Sequence, residues 1–264
     1  LLILARRQLP AFGGGRAWHG PIATIDPDNG DLTEQLASSN IGINYRDWRV
    51  GVVTARSGGS ATIGFSNGEE FPLTGLPDAI KVGDVTAAAP NGNVWAVRTV
   101  PEVQGGFVAQ DPNTGRVLAM QGGFDFRLSD FNRATQAQRQ PGSTIKPFVY
   151  ATGLDQGMTP ATMIPDQTFC YYQGANLGEK CFRNFGGGGG GEHTMRWGLE
   201  QSRNLMTVHI AMDAGMENVT RTFERVGIGK YENYPSFALG AGETTVLKMV
   251  NAYAALANHG VQHN

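Results

Sequence analysis

The sequence predicts an α+β protein in which a small all-β domain precedes a domain of mixed strands and helices. Residues 48–98 alternate short Val, Ile, Phe and Thr runs with Gly-Gly and Asn-Gly turns, a pattern typical of a small barrel or sandwich. A hairpin pattern follows at 105–123, and helical patterns occupy much of the chain after residue 143. The 264 residues, of which 41% are hydrophobic, suit a globular protein.

The all-β domain is assigned to residues 21–100, after a linker remnant at 1–20. The second domain is assigned to 101–264, and its hairpin has suitable turn residues, "DPNTG", between two apolar strands. A helix is predicted in "IKPFVYATGLDQG", with Gly157 as its end.

The rest of the second domain is predicted to begin as loop and end as helix. Residues 158–191 are loop-rich and finish in six consecutive glycines, which give the backbone great conformational freedom. One or two helices are predicted in "TMRWGLEQSRNLMTVHIAMDAG". A last amphipathic helix is predicted in "TTVLKMVNAYAALANHG", with Thr244 as a candidate N-cap and Gly260 as its stop.

Charge and composition argue against several classes of partner. The formal net charge is −2 and no basic stripe occurs, so no nucleic acid is expected. No apolar run approaches the ~20 residues of a membrane span. Cys170 and Cys181 lack metal-ligand spacing and form either a disulfide or two free thiols, so no metal or cofactor is predicted. Because the chain begins without Met and shows no signal-peptide pattern, we expect an internal piece of a longer parent protein.

Ser143 and Lys146, in "RQPGSTIKPFV", form the first candidate site and have two interpretations. In the structural one, the serine caps a helix, since serine is a favoured N-cap. In the catalytic one, residues three apart share a helix face, which brings the lysine amine within reach of the serine hydroxyl. A hydroxyl needs a base, and lysine serves only if burial or a nearby cation lowers its pKa. The following "PFVY" is expected to bury Lys146.

Ser202 and Asn204 form the second candidate site, at the start of a helical segment in "EQSRNLMTV". A polar pair across a cleft from a serine and a lysine would shuttle a proton and hold a substrate. The Ser-x-Asn pattern is weak by itself, because Ser38-Ser39-Asn40 carries it too. Its position about 60 residues after Ser143 favours the later copy.

Four stretches around these motifs occur in a suggestive order: "GGFVAQDPNTGRVLAMQGGFDF", "FNRATQAQRQPGSTIKPFVYATGLDQGMTPATMIPD", "EQSRNLMTV" and "FALGAGETTVLKMVNAYAALANHG". Together they resemble the transpeptidase domain of class A penicillin-binding proteins. Residues 45–100 are more loosely similar to the small OB-like β domain that accompanies it, and "GRAWHGPI" resembles the junction after the family's glycosyltransferase domain. The resemblance implies a penicillin-binding/β-lactamase-like fold, an antiparallel sheet with helices, here incomplete, preceded by the OB-like domain.

The resemblance implies a serine DD-transpeptidase or carboxypeptidase that acts on the D-Ala-D-Ala end of peptidoglycan stem peptides. Ser143 would be the nucleophile, Lys146 its base and Ser202 a proton relay. Asn204 would bind the substrate or orient Lys146. β-Lactam antibiotics would acylate Ser143 as covalent inhibitors, and the family's chemistry requires no cofactor or metal.

For the parent protein, the resemblance implies further properties. They are a peptidoglycan glycosyltransferase activity, an N-terminal membrane anchor ahead of this chain and a location on the periplasmic side of the inner membrane. The OB-like domain would bind protein regulators.

The sequence departs from the family pattern at the third motif, Lys-Thr-Gly. None of the five lysines is followed by Thr-Gly or Ser-Gly. That motif supplies part of the oxyanion hole, where one donor is typically worth about 10²–10³ in rate, so the 264 residues alone are expected to be inactive. Two alternatives remain open: a β-lactamase or β-lactam sensor with the same serine–lysine chemistry, and a non-catalytic scaffold in which Ser143 only caps a helix.

Overall fold

The computed structural model describes residues 18–101, 104–172, 175–176 and 178–263. These residues form two compact units, which we call the barrel unit (up to residue 107, with 121–133) and the helical unit (108–120, with 134–263). Most of the predicted linker at 1–20 lies outside the described residues. No helix in the parts of the chain that the structure describes is long and apolar enough to span a bilayer.

The barrel unit is built from strands joined by tight turns. Its elements are β1 (Ala23–Thr24), α1 (Leu32–Ser38), β2 (Arg49–Ser57), β3 (Ser60–Phe65), β4 (Glu70–Thr74), β5 (Asp84–Asn91) and β6 (Val94–Arg98). Strands pair in the order β5-β2-β3-β4-β6, and β6 pairs back with β5, so five strands close into a barrel. The pair β4–β6 is parallel and the others are antiparallel. The OB-like assignment of this barrel stays a prediction.

Residues 121–133 group with the barrel unit, whereas the sequence-based division placed them in the second domain. Phe124 packs against Tyr45 with ring centroids 4.7 Å apart. The Asp125 carboxylate accepts a hydrogen bond of 2.7 Å from the Asn44 N–H. These contacts are distant in sequence, so no local pattern indicates them, and the predicted domain bounds stay predictions.

The helical unit and its boundary contain strand pairs and five helices within the described residues. The strands are β7 (Phe107–Gln110), β8 (Val117–Gln121), β9 (Met163–Pro165), β10 (Cys170–Tyr172), β11 (Glu179–Cys181) and β12 (Glu192–Thr194), paired as β7–β8, β9–β12 and β10–β11. The helices are α2 (Lys146–Asp155), α3 (Met195–Glu200), α4 (Asn204–Ala214), α5 (Met216–Arg225) and α6 (Val246–Ala257). Two 3₁₀ turns, Gly142–Ile145 and Pro235–Leu239, complete the unit. This mixture confirms the α+β class.

The ends of two helices test the sequence predictions. Gly157, the predicted end of α2, follows that helix with a φ of +96°. Helix α6 is capped by Thr245, whose Oγ1 accepts a hydrogen bond from the Lys248 N–H, and the predicted cap Thr244 was wrong by one position. Thr244 instead donates its hydroxyl to the Ile228 carbonyl at 2.7 Å. Adjacent threonines are equivalent as sequence signals, and this tertiary contact separates them.

Helix α2 lies in the core of the helical unit and packs against α4 and α5. Its side chains Phe148 and Val149 are fully buried. Residues Met206 and Ile210 of α4 and Phe223 of α5 belong to the same apolar cluster. Burying these groups fixes the start of α2 beside the start of α4, where the candidate site residues lie.

The hairpin of β10 and β11 carries the two cysteines as a cross-strand pair. Cys170 and Cys181 form a disulfide, which resolves the alternative left open by the sequence. Glu179 lies close to both sulfurs. A metal ion binds the thiolate rather than a disulfide sulfur, so this cluster offers no metal site in the oxidised state.

Candidate active site

Ser143 lies in the 3₁₀ turn Gly142–Ile145, which leads directly into α2. Gly142 has a φ of +56°, which glycine adopts without the steric cost of a side chain, and Pro147 stands in the first turn of α2, where its missing N–H is harmless. Neither the turn nor the helix has a side-chain cap, and Ser143 is exposed. Its hydroxyl therefore does not cap a helix, contrary to the structural interpretation.

Backbone contacts hold the nucleophile turn, as we call Gly142–Ile145, in place. The Gly142 N–H donates to the Gly240 carbonyl at 3.3 Å. A Cβ at Gly240, which has a φ of +80°, would clash with the backbone of Gly142. The Tyr253 hydroxyl donates to the Thr144 carbonyl at 2.8 Å. The turn is thus fixed through main-chain atoms, and the Ser143 side chain stays free.

The Lys146 side chain is buried, with 1% of its surface exposed, which confirms the expected burial. Its Nζ donates to the Ser202 carbonyl at 2.6 Å, to the Ser202 Oγ at 3.1 Å and to the Asn204 Oδ1 at 2.7 Å. An ammonium group has three donors, and these acceptors use all of them. Among the described residues, Lys146 makes no hydrogen bond to Ser143.

Two effects lower the pKa of Lys146 to about 8. Burial is the larger, because it penalises the charged form, and the nearby Arg203 guanidinium adds like-charge repulsion. A pKa near 8 leaves a useful fraction of neutral amine at physiological pH. Lys146 therefore meets the chemical requirement for a base, which an ordinary surface lysine does not.

Ser202, Arg203 and Asn204 lead from α3 into the first residue of α4, and we call them the relay turn. Ser202 has a φ of +52°, a conformation that non-glycine residues seldom adopt and that often occurs at functional sites. Helix α4 begins at Asn204, so the Asn204 side chain points its carbonyl oxygen to Lys146 from the first residue of that helix. The other Ser-x-Asn copy lies elsewhere, at the end of α1 in the barrel unit.

A cleft of about 400 Å³ brings the predicted site residues together. Ser143, Ser202 and Asn204 line it, and Lys146 is hydrogen-bonded to the last two. Phe185, whose side chain is fully exposed, also lines the cleft. The arrangement places a free hydroxyl, a buried amine of lowered pKa and a second hydroxyl around one open space.

The sequence analysis missed the side chains that surround the relay turn. Asp166 and Asn184 are both buried and are joined by a hydrogen bond of 2.8 Å. Arg203 donates to the Asp166 carboxylate through Nε at 2.9 Å and Nη2 at 2.5 Å. Asp166 and Asn184 both lie in the loop-rich stretch 158–191, where no periodicity marks a residue as buried. Arg203 was visible only as the middle residue of the motif.

Comparison with known proteins places the chain in a family. Residues 105–263 match the family described as "Penicillin binding protein transpeptidase domain". Penicillin-binding protein 1A of Rickettsia prowazekii (strain Madrid E) is 35% identical over 268 residues, which cover 97% of this chain and 34% of that protein. Penicillin-binding protein 1A of Neisseria lactamica is 42% identical over 187 residues, or 69% of this chain and 23% of that protein. The chain spans about a third of the length of the first of these curated relatives and about a quarter of the second.

Solved structures give the same result for the fold. The crystal structure of penicillin-binding protein 1A from Haemophilus influenzae superposes with a TM-score of 0.71 at 25% identity and covers 90% of this chain and 37% of that one. Penicillin-binding protein A from M. tuberculosis, as an imipenem acyl-enzyme complex, gives a TM-score of 0.52 at 19% identity over 60% of this chain and 47% of that one. The second likeness concerns the fold alone.

Proposed function

The chain belongs to the penicillin-binding protein transpeptidase family, and from this premise we propose that it forms peptidoglycan cross-links through a covalent ester on Ser143. One observation carries the proposal: the buried Lys146, of lowered pKa, is bonded to Ser202 and Asn204 beside the free Ser143 hydroxyl. Burial of a lysine costs stability, which a purely structural role does not explain. A base requires burial, because burial lowers its pKa towards neutrality.

In the proposed acylation, the neutral amine of Lys146 accepts the proton of the Ser143 hydroxyl. The Ser143 Oγ attacks the carbonyl carbon of the penultimate D-Ala of a stem peptide. The bond from that carbon to the nitrogen of the terminal D-Ala then breaks, and the leaving nitrogen takes up the proton from Lys146 by way of the Ser202 hydroxyl. The hydrogen bond of 3.1 Å between Lys146 and Ser202 supports this route.

In the proposed second step, an amine of a neighbouring stem peptide attacks the ester carbon. It loses its proton to the Ser202–Lys146 pair, and the proton returns to Ser143 as the ester bond breaks. With water in place of the amine, the same steps give carboxypeptidase activity. Asn204 holds the Lys146 ammonium through its Oδ1, so we assign it the role of orienting the base.

For the parent protein we propose the wider activities of its relatives. These are glycosyltransferase activity, a membrane anchor with the catalytic domain on the periplasmic side of the inner membrane, and regulators that bind through the barrel. The relatives named above are about three times as long as this chain, which supports an activity shared with further domains. Because no Lys-Thr-Gly or Lys-Ser-Gly occurs in the 264 residues, we propose that the chain alone reacts poorly or not at all.

Labelling with a fluorescent penicillin tests the proposal in the parent protein. We expect wild type to form a covalent adduct and Ser143→Ala to form none. Ser236→Ala, a half-buried serine of the same unit that does not line the cleft, is the matched control and should label normally. Labelling that survives Ser143→Ala would overturn the assignment of the nucleophile. Release of the label within seconds would instead indicate a β-lactamase.

A further inference from the structure

The Asn184 side chain makes four hydrogen bonds around the relay turn. Its Oδ1 accepts from the N–H groups of Asn204 at 2.9 Å and Leu205 at 3.2 Å, and so caps α4 from a distant part of the chain. Its Nδ2 donates to the Asp166 Oδ1 at 2.8 Å and to the Gly188 carbonyl at 2.9 Å. An amide has two donor hydrogens and two acceptor positions, and Asn184 uses them all.

Asp166 links this amide to Arg203. Only 1% of the surface of Asp166 is exposed, its Oδ1 accepts from Asn184, and its Oδ2 accepts from the Arg203 guanidinium. The ion pair is therefore partly desolvated, and breaking one partner would leave the other charge uncompensated. Both hydrogen-bond partners of Asp166 contact the relay turn. Asn184 binds the backbone N–H of Asn204, and Arg203 is the middle residue of the turn.

The hydrogen bonds of Asn184 and Asp166 are connected to Lys146 through two side chains of the relay turn. The Ser202 Oγ and the Asn204 Oδ1 both accept from Lys146, and their positions depend on the main chain between them. The left-handed conformation of Ser202 is unfavourable by itself and persists only where the surroundings impose it. Two backbone hydrogen bonds tie the turn to α3, from the Ser202 N–H to the Leu199 carbonyl at 3.0 Å and from the Arg203 N–H to the Gly198 carbonyl at 2.9 Å. The bonds of Asp166 to Arg203 and of Asn184 to the Asn204 N–H hold its other side.

We propose that Asn184 and Asp166 are positioning residues for acyl transfer, which hold the relay turn so that Ser202 and Asn204 keep the amine of Lys146 aligned. The inference rests on the proposed function. Asn184 lines the cleft beside Ser143, but its four amide hydrogen bonds are all made within the protein, and Asp166 is not among the residues that line this cleft. The alternative is a purely structural role, in which the network stabilises the fold by satisfying the hydrogen bonds of buried polar groups.

Asn258 provides a matched control within the same unit. Asn258 is 8% exposed and Asn184 is 7% exposed, and both lie at a helix end. The Nδ2 of Asn258 donates to the Pro112 carbonyl at 2.8 Å, and Asn258 is not among the residues that line the cleft. If burial and hydrogen bonding alone mattered, alanine at 184 and at 258 would have the same effect on the reaction.

The test measures penicillin acylation of the parent protein with a fluorescent penicillin over a range of concentrations, which separates the acylation rate constant from the dissociation constant of the initial complex. For Asn184→Ala we expect the rate constant to fall by about 10- to 100-fold, with the dissociation constant changed by less than about threefold. Asn258→Ala should lower the melting temperature by a similar amount and leave the rate constant within about twofold. Equal rate constants for the two variants would overturn the proposal.

Two isosteric changes test the same proposal if Asn184→Ala does not fold. Asp166→Asn and Asn184→Asp each disturb the amide–carboxylate bond. The double variant exchanges its two ends and allows this bond to re-form with the donor reversed, while the bond to the Gly188 carbonyl and the ion pair with Arg203 at position 166 stay lost, so only partial recovery is expected. We expect each single variant to acylate slowly and the double variant to recover at least about threefold. No recovery, with all variants folded, would overturn the proposal. Failure of wild type to acylate would instead overturn the proposed function.

Discussion

The nucleophile turn and the relay turn face the same cleft but differ in whether buried polar side chains hold them. The nucleophile turn is held through its backbone, by Gly240 and Tyr253, and its one reactive side chain is exposed and uncapped. The relay turn makes backbone hydrogen bonds to α3 and is held in addition by the side chains of Asn184 and Asp166. Its backbone adopts a left-handed conformation at Ser202.

This difference matches what each turn has to do in the proposed reaction. A nucleophile must approach its substrate, so its side chain benefits from few contacts while the main chain behind it stays fixed. A base must keep its lone pair directed at the proton that it accepts and its pKa near the working pH. The groups around it therefore have to be fixed. The three acceptors of Lys146 and the charge of Arg203 belong to the fixed side of the cleft.

The largest effect is expected at the residue that connects the two turns. Lys146→Met keeps an unbranched buried side chain but removes the base, so acylation by a fluorescent penicillin should fall by about 10²–10⁴-fold. Stopped-flow measurements on the parent protein give the rate constant, and circular dichroism checks the fold. Lys230→Met, at an exposed lysine of the same unit, should change nothing. A Lys146→Met rate within tenfold of wild type would remove Lys146 from the role of base.

The backbone support of the nucleophile turn can be broken with one methyl group. Gly240→Ala places a Cβ against the backbone of Gly142 and also has to adopt a φ of +80°, so the turn must shift. We expect acylation to slow by about 10²-fold. Gly142→Ala is the matched change, because its φ is +56° but its Cβ would meet open space, and it should cost only about 1 kcal/mol of stability. If both variants acylate equally, steric contact at Gly240 does not position Ser143.

The pH dependence of acylation sharpens the role of the relay turn. Only the neutral amine of Lys146 is a base, so the rate should rise with pH, bend near pH 8 and then level off. Arg203→Gln removes a like charge from the surroundings of Lys146, so it should move the bend to higher pH; its ion-pair partner Asp166 stays in place. Loss of positioning lowers the plateau, whereas loss of charge moves the bend, and a pH–rate profile separates them. An unmoved bend would mean that Arg203 acts by position alone.

Much of the fold and of the candidate site could be predicted from the sequence because their signals are local. Turn residues and alternating apolar runs predicted a small barrel or sandwich, and spacing with family resemblance selected Ser143, Lys146, Ser202 and Asn204. The structure places three of these in one cleft and bonds Lys146 to two of them. Their catalytic roles stay predictions, which the labelling and rate measurements test.

The rest of the site could not be predicted because it depends on contacts between distant residues. Asn184 acts as a helix cap about 20 residues from the helix that it caps, so no capping pattern indicates it. Asp166 matters through Arg203, 37 positions away. The left-handed conformation of Ser202 has no signal either, because serine seldom adopts it and the neighbours that impose it lie elsewhere in the chain.

These long-range bonds have a consequence for folding. Lys146 and Asn204 are 58 positions apart, and contacts of such separation form only after the entropy of closing the loop between them has been overcome. A partly folded chain with helix α2 already formed would carry Ser143 without a base of lowered pKa. Penicillin labelling of Ser143 would therefore count completely folded molecules, and its recovery during refolding would follow the final assembly of the helical unit rather than the formation of its helices.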